Sequence, residues 1–438
     1  MIIPLERGAV SLGTLGRILG VEMPTPDQEI IPQRLVTNSK EVLPGDLFCA
    51  LVGERDGHEF TAEAVKNGAV AILAERATPA KACHIITPSV RRALADWAIA
   101  VTEDAGLLRI GITGSVGKTT VKDAVTAMLA THFSVHATYG NYNNDLGLPF
   151  TLLSAPKQCD AIVCEMGINH PGEMSGLSKI LRPHISVITC IGHAHIGAFG
   201  SRERIAAEKR EILRYAQAGG YLFVPITEPL LFLLPSNGIQ RKAVTPFDAH
   251  SCKKYSLSFE ENNIPRNLAY AFGKAVGEAC RLTAEEIALG LHRIASLETR
   301  CKTYAYHGIH IIDDSYNASP ESMLSSLLFL SVKKTGKRIA VLGDMLELGE
   351  KSDAFHHAIG RFAATHADVL FFCGEYAETY AKGALAGGAK QPHILSEDKI
   401  SAANEITACL SAGASILFKA SRALRLEELI VCLKERLG

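Results

Sequence analysis

A chain of 438 residues has room for roughly two to four domains, each long enough to bury a core. Its 47% hydrophobic and 21% charged residues are the proportions of a soluble globular protein. A formal net charge of −1 removes any general electrostatic reason to expect nucleic acid or an anionic membrane as partner.

The eleven cysteines are scattered singly, and several (Cys164, Cys190, Cys373) lie in apolar runs. Buried thiols in a reducing cytosol are therefore expected, not disulfides or a zinc site. The start, Met1 to Arg7, lacks a signal-peptide layout, and no uncharged apolar run reaches about 18 residues. A cytoplasmic protein is expected.

Residues 1–105 read as a first α/β unit. Leu12, Leu15, Ile18 and Leu19 suggest an opening helix. Pro44-Gly45-Asp46 turns into an apolar strand, and Gly68 to Leu73 reads as another. Asp56 and His58 are expected as turn and cap residues, not ligands.

The second unit opens on Ile110-Gly111-Ile112-Thr113-Gly114-Ser115-Val116-Gly117-Lys118-Thr119-Thr120. Apolar alternation predicts a buried strand, the glycines a turn, and Val121, Ala124, Val125, Met128 and Leu129 a helix. Such a turn aims backbone N–H groups and a helix N-terminus at one point, which suits a phosphate. Lys118 can neutralise phosphoryl oxygens and Thr119 can offer a hydroxyl to Mg²⁺. Ile112 stands where the full G-x-x-x-x-G-K-[ST] pattern has its first glycine, so the match is to the tighter T-G-S-x-G-K-T form.

Further strands end on Glu165 and, past Ile191, on His193-Ala194-His195. A carboxylate and a histidine beyond neighbouring strand ends suit a second divalent ion, although each alone reads equally as a cap. The turn Gly140 to Asp145 carries Asn141, Asn143 and Asn144, more amides than a turn needs. On the following helix Lys209 shares a face with Ile205, Ile212 and Leu213. A lysine there either snorkels or has a partner.

Residues 219–263 are the least legible and suggest short irregular strands. Beyond them, Thr283 is expected to cap the second of two helices. From about residue 300 the alternation resumes. Strands ending near Asp313-Asp314, Gly343-Asp344 and Lys419 predict a polar rim facing a cleft. Ser319 and Pro320 predict a helix start.

Six stretches together resemble the Mur ligase family over nearly the whole chain. They are Thr113 to Thr120, Gly140 to Leu153, Glu165 to Glu173, Asp313 to Pro320, Gly343 to Gly349 and Lys419 to Arg422. The D-N-P-R motif is absent, which favours the dipeptide-adding branch. The resemblance implies three α/β domains: 1–105 for a UDP-sugar, a P-loop parallel-sheet ATPase at 106–299, and a Rossmann-like domain at 300–438. It implies ATP, two Mg²⁺ ions, and ligation of D-alanyl-D-alanine to UDP-MurNAc-tripeptide through an acyl phosphate by a cytoplasmic monomer.

For single residues the resemblance implies Thr119, Glu165, His195 and a carbamylated Lys209 on the metals. Lys118, Lys209, His195 and Arg300 are the catalytic set. Thr113, Gly114, Ser115, Gly117, Lys118, Thr119, Thr120, Asn267, Tyr270, Arg300, Asp314 and Tyr316 are expected on ATP. Ser39, Lys40, Asn143, Asn144, Asn317, Lys419, Ser421 and Arg422 are expected on the other substrates. The chain departs from the family at Arg266, where a histidine is usual, and at Tyr270, where an asparagine usually lies against adenine. Asn38-Ser39-Lys40 likewise replaces Asp-Ser-Arg. A GTPase is disfavoured because no N-K-x-D motif is present, and a small-molecule kinase would leave the third unit unexplained. A non-catalytic paralogue should have lost Lys118, Glu165 or Lys209, and all three stand.

Overall fold

The computed structural model describes residues 1–24, 27–103, 105–233, 238–259, 263–297, 301–333 and 336–438. Three sheets flanked by helices follow one another along the chain. The first contains β1 (Ile2–Pro4), β2 (Arg34–Val36), β3 (Leu47–Cys49), β4 (Ala71–Ala74) and β5 (Cys83–Ile86) in sequence order. Strand β1 is antiparallel to β2, and the remaining pairs are parallel. The opening helix Leu12–Leu19 buries Leu12 and Leu15, starts on the Ser11 hydroxyl and ends at a left-handed Gly20, both signals of local chemistry. Asp56 caps a short turn, and the buried His58 ring lies between the Asp56 carboxylate and the Glu75 N–H.

The central sheet is wholly parallel. Its strands are β6 (Leu108–Thr113), β7 (Val135–Ala137), β8 (Ala161–Glu165), β9 (Ile185–Ile188), β10 (Tyr221–Pro225) and β11 (Gln240–Val244), in the order β11-β10-β9-β6-β8-β7. Because β6 lies between β9 and β8, the loops leaving these three strands diverge from a shared crevice, where such sheets bind ligands. The described residues of 219–263 are more regular than their sequence suggested. Strand β10 buries Leu222, Phe223 and Val224, whereas β11 is an edge strand with mostly exposed or half-buried polar residues. An edge strand carries little apolar signal, which is why the sequence hid it.

On one face of this sheet, Val121, Val125 and Met128 of the helix Lys118–Leu129 pack with Ile110 and Ile112. Helices Ile264–Ala279 and Ala284–Ser296 cover them. Each fully buried side chain of this kind stabilises the fold by about 1.5–3 kcal/mol. The expected Thr283 cap is present as a reciprocal capping box with Glu286.

The third sheet contains β12 (Lys302–Tyr306), β13 (Ile309–Asp313), β14 (Arg338–Leu342), β15 (Val369–Phe372), β16 (His393–Ile394) and β17 (Ser415–Lys419), in the order β12-β13-β17-β14-β15-β16. Only the edge strand β12 runs antiparallel to its neighbour. Ser319 and Pro320 start the helix Pro320–Ser331 as expected. Among the described residues, no helix is long and apolar enough to cross a membrane.

Candidate active site

Strand β6 delivers its glycine turn to the centre of the crevice. Gly117 caps the helix Lys118–Leu129 in a left-handed conformation. Gly114 has φ 150°, and a Cβ there would lie 1.8 Å from the Thr189 hydroxyl, so no side chain fits. The turn is braced from behind: Ser115 N–H donates to Cys190 O at 3.0 Å and Thr189 Oγ1 to Val116 O at 2.5 Å. Lys118 Nζ folds back onto Gly114 O at 3.0 Å. Thr113 is fully buried at the end of β6 and supports the loop. Ser115, Gly117, Lys118, Thr119 and Thr120 line a cavity of about 940 Å³.

Glu165, the last residue of β8, is buried beside this loop. One carboxylate oxygen accepts from Thr119 Oγ1 at 2.5 Å and the other from Asn143 Nδ2 at 2.8 Å. Two oxygens of the kind a magnesium ion prefers are thus held together. The two adjacent asparagines separate in role. Asn143 orients Glu165, whereas Asn144 accepts from the N–H groups of Leu146 and Gly147 and caps a helix start. Asn144 therefore acts on backbone in this structure.

Lys209 is 2% exposed on the helix Arg202–Arg210. Burial pushes its ammonium down to about 7, and the positive charge of Lys118 pushes the same way. Lys209 does not itself line the cavity, but it is near enough to Lys118 for the two charges to repel. His195 does line it, with Nδ1 2.5 Å from the Glu347 carboxylate of the third domain. The adjacent His195 ring holds the Glu347 carboxyl below its ordinary range. Both residues are left-handed, at φ 63° and 65°, a conformation that costs on the order of 1–3 kcal/mol per residue and persists only where the surroundings fix it.

The opposite wall comes from the third sheet. Lys419, the buried last residue of β17, donates to Asp314 at 2.6 Å and to Asn317 O at 3.0 Å. Ser326 shares the same Asp314 oxygen at 2.6 Å. Tyr316 is exposed to the cavity, with the Arg422 guanidinium 6.0 Å above its ring. Ser421 also lines the wall, and its hydroxyl accepts from Leu346 N–H. Asp344, expected on the rim, instead accepts from the N–H groups of Glu375 and Tyr376 and anchors a turn. Arg300 lies outside the described residues, although its neighbours Leu297 and Cys301 line the cavity.

Two expectations need correction. Tyr270 is fully buried, with its ring 5.7 Å from Phe247 in the central core, and it does not reach the cavity. Its helix turns that face toward Lys118–Leu129, so packing and not a base occupies the ring. Asn267 is also buried off the cavity, and its backbone carbonyl accepts from Phe247 N–H. The wall on that side is made instead by Asn263, Pro265 and Arg266, one turn earlier. Ser39 and Lys40 lie in the first domain, apart from this cavity, and the buried Ser39 hydroxyl donates to Glu63 at 2.5 Å. Replacing Tyr270 with alanine should therefore cost about 3–5 kcal/mol of stability, as large aromatic truncations do. A lowered melting temperature with an unchanged KM for ATP is the expected result. A raised KM in a variant of wild-type stability would return the ring to the nucleotide.

Comparison with known proteins agrees with this arrangement. The Mur ligase middle domain matches residues 112–266, and the Mur ligase glutamate ligase domain matches residues 299–422. The chain is 34% identical over 430 residues to the UDP-N-acetylmuramoyl-tripeptide–D-alanyl-D-alanine ligase of Bacillus subtilis (strain 168), covering 93% of this chain and 94% of that one. It is similar in structure to MurF from Acinetobacter baumannii, with TM-score 0.84 and 29% identity over 99% of this chain and 100% of the other. MurF ligase from Thermotoga maritima, solved in complex with ADP, gives TM-score 0.81 and 30% identity over 92% and 97%. With a phosphate loop and a lysine–aspartate wall facing one cavity, and with relatives above 30% identity along most of its length, the chain belongs to the Mur ligase family.

Proposed function

We propose that this chain joins D-alanyl-D-alanine to UDP-MurNAc-tripeptide, with ATP cleaved to ADP and phosphate, for peptidoglycan precursor synthesis. The observation that carries the reading is a cavity walled by the phosphate loop on one side and by Asp314, Lys419 and Arg422 on the other. In the first step a substrate carboxylate oxygen bonds to the γ-phosphorus and ADP leaves. In the second the dipeptide amine bonds to the acyl carbon, phosphate leaves, and the amine nitrogen gives up a proton to solvent. Such transfers need mainly positioning and charge neutralisation. Lys118 and the N–H groups of the glycine turn supply the charge at the phosphates, and Asn317, Ser421 and Arg422 are assigned to the acceptor side.

The residues present fit magnesium. Thr119 and Glu165 would hold one ion; among the described residues no cluster of three or more His, Cys, Asp or Glu forms a cage. That suits an ion whose remaining positions belong to phosphate and water. His195 uses Nδ1 on Glu347, which fixes the ring and leaves Nε2 for a second ion. Lys209 as a carbamate would complete that site. Bound magnesium supplies neutralisation of the charge shared between the β- and γ-phosphates.

We assign 1–105 to the UDP-sugar, 106–299 to ATP and 300–438 to cleft closure. A monomer is proposed as the acting form. The scattered cysteines and the nucleotide-activated substrate support a cytoplasmic setting. ADP release assayed with UDP-MurNAc-tripeptide and a panel of amines should require D-alanyl-D-alanine. Equal release with an unrelated amino acid, and none with the dipeptide, would overturn the assignment.

A further inference from the structure

We propose that Glu321 is a positioning residue that couples docking of the third domain to the phosphate loop. Glu321 stands in the first turn of the helix Pro320–Ser331. Its Oε1 accepts from the His193 backbone N–H at 3.0 Å and lies 2.5 Å from His193 Nδ1. A carboxylate only accepts, so this ring nitrogen carries the hydrogen. The His193 ring also lies 4.7 Å from Phe355, on the helix Ser352–Ala363. A central-domain histidine is thereby inserted against two helices of the third domain.

The loop that bears His193 is tied residue by residue. Thr189 and Cys190 hold the backbone of the phosphate loop. Ile191 N–H donates to the buried Glu228, and Ile191 O accepts from Arg202. Gly192 N–H donates to Ser115 Oγ at 2.9 Å, and Ser115 lines the nucleotide cavity. His193 is the next residue, and Glu321 holds it. One residue thus separates the docked carboxylate from a hydrogen bond onto the phosphate loop.

Gly192 records the same fit from the other side. A Cβ there would stand 2.5 Å from the Glu321 carboxyl carbon and 2.6 Å from its Oε2. Gly192 is not among the residues with positive φ. An alanine would therefore cause no backbone strain and would act by pushing the Glu321 carboxylate away.

The turnover part of the test rests on the ligase reading; the docking part does not. Glu321→Ala should lower kcat about tenfold, the equivalent of losing one hydrogen bond to a charged group. KM for ATP should change little, because the bond is made in the docked arrangement and not to the nucleotide. Glu321→Gln keeps an acceptor and should lose only about threefold. Gly192→Ala should match Glu321→Ala, and the double variant should be no worse than Glu321→Ala alone, since both act through one contact. Small-angle scattering with a non-hydrolysable ATP analogue should show a larger radius of gyration for both single alanine variants at wild-type melting temperature. A Glu321→Ala protein with wild-type kcat and scattering overturns the proposal. So does a double variant whose loss is the product of the two single losses. If the wild type fails to ligate the dipeptide, the ligase reading fails, and scattering still decides the docking role.

Discussion

Lys118→Ala is expected to abolish ATP turnover while leaving the fold intact. The ammonium donates to Gly114 O and is the first residue of the helix behind the glycine turn. The turn does not depend on that bond, because Cys190, Thr189 and Gly192 all hold its backbone or the Ser115 hydroxyl from behind. The variant should therefore melt like the wild type. What it loses is the cation inside a cavity where phosphoryl charge must be neutralised. Removing one preorganised electrostatic group costs on the order of 10²–10³ in rate, and this lysine carries a full charge. ADP release at a wild-type rate would exclude the loop as the catalytic phosphate site.

Local chemistry was the legible part of this fold. Ser319 with Pro320, Thr283 with Glu286, and the glycine turn before Lys118 each act within four residues of one another, and each is found as read. The strand ends were legible for the same reason, since an apolar run that stops at Glu165 or Lys419 marks its own C-terminal edge. What stayed hidden was side-chain direction. Tyr270 occupies a helix position one turn from cavity-lining Arg266, yet its ring points into the core. A single sequence does not show which of these positions, four residues apart, turns toward the cavity and which toward the core. Asn143 and Asn144 are neighbours with opposite tasks, because successive residues leave a turn in different directions. His193 and Glu321 are 128 positions apart, and no local pattern joins them. The departure at Arg266 was visible in the sequence, and the structure places that residue on the cavity wall.

Lys209→Arg should be as inactive as Lys209→Ala, and this pair of variants decides how the buried lysine works. An ordinary lysine is almost wholly protonated at neutral pH. Here burial, and next the charge of Lys118, bring the ammonium down to about 7. Between that value and the ordinary one, the unfolded chain holds the proton and the folded chain does not. The free amine therefore becomes the major folded form as pH rises through about 7. A free amine adds carbon dioxide to give a carbamate and release a proton. That product would carry a negative head beside Lys118, exchanging a repulsive pair for an attractive one. An ammonium at this depth would oppose a divalent cation, whereas a carbamate would complement it. Alanine removes the carbamate and should lose on the order of 10²–10³ in turnover, by the same electrostatic measure. Added short-chain carboxylates should restore part of that loss, because they can occupy the space with the right charge. Arginine keeps the positive charge and cannot form the carbamate, so it should neither work nor be rescued. Isotope-labelled bicarbonate should give a carbamate carbon signal in the wild type and none in Lys209→Ala, independently of activity. Near-normal ligation by Lys209→Arg would leave Lys209 a structural lysine and remove the carbamate from the mechanism.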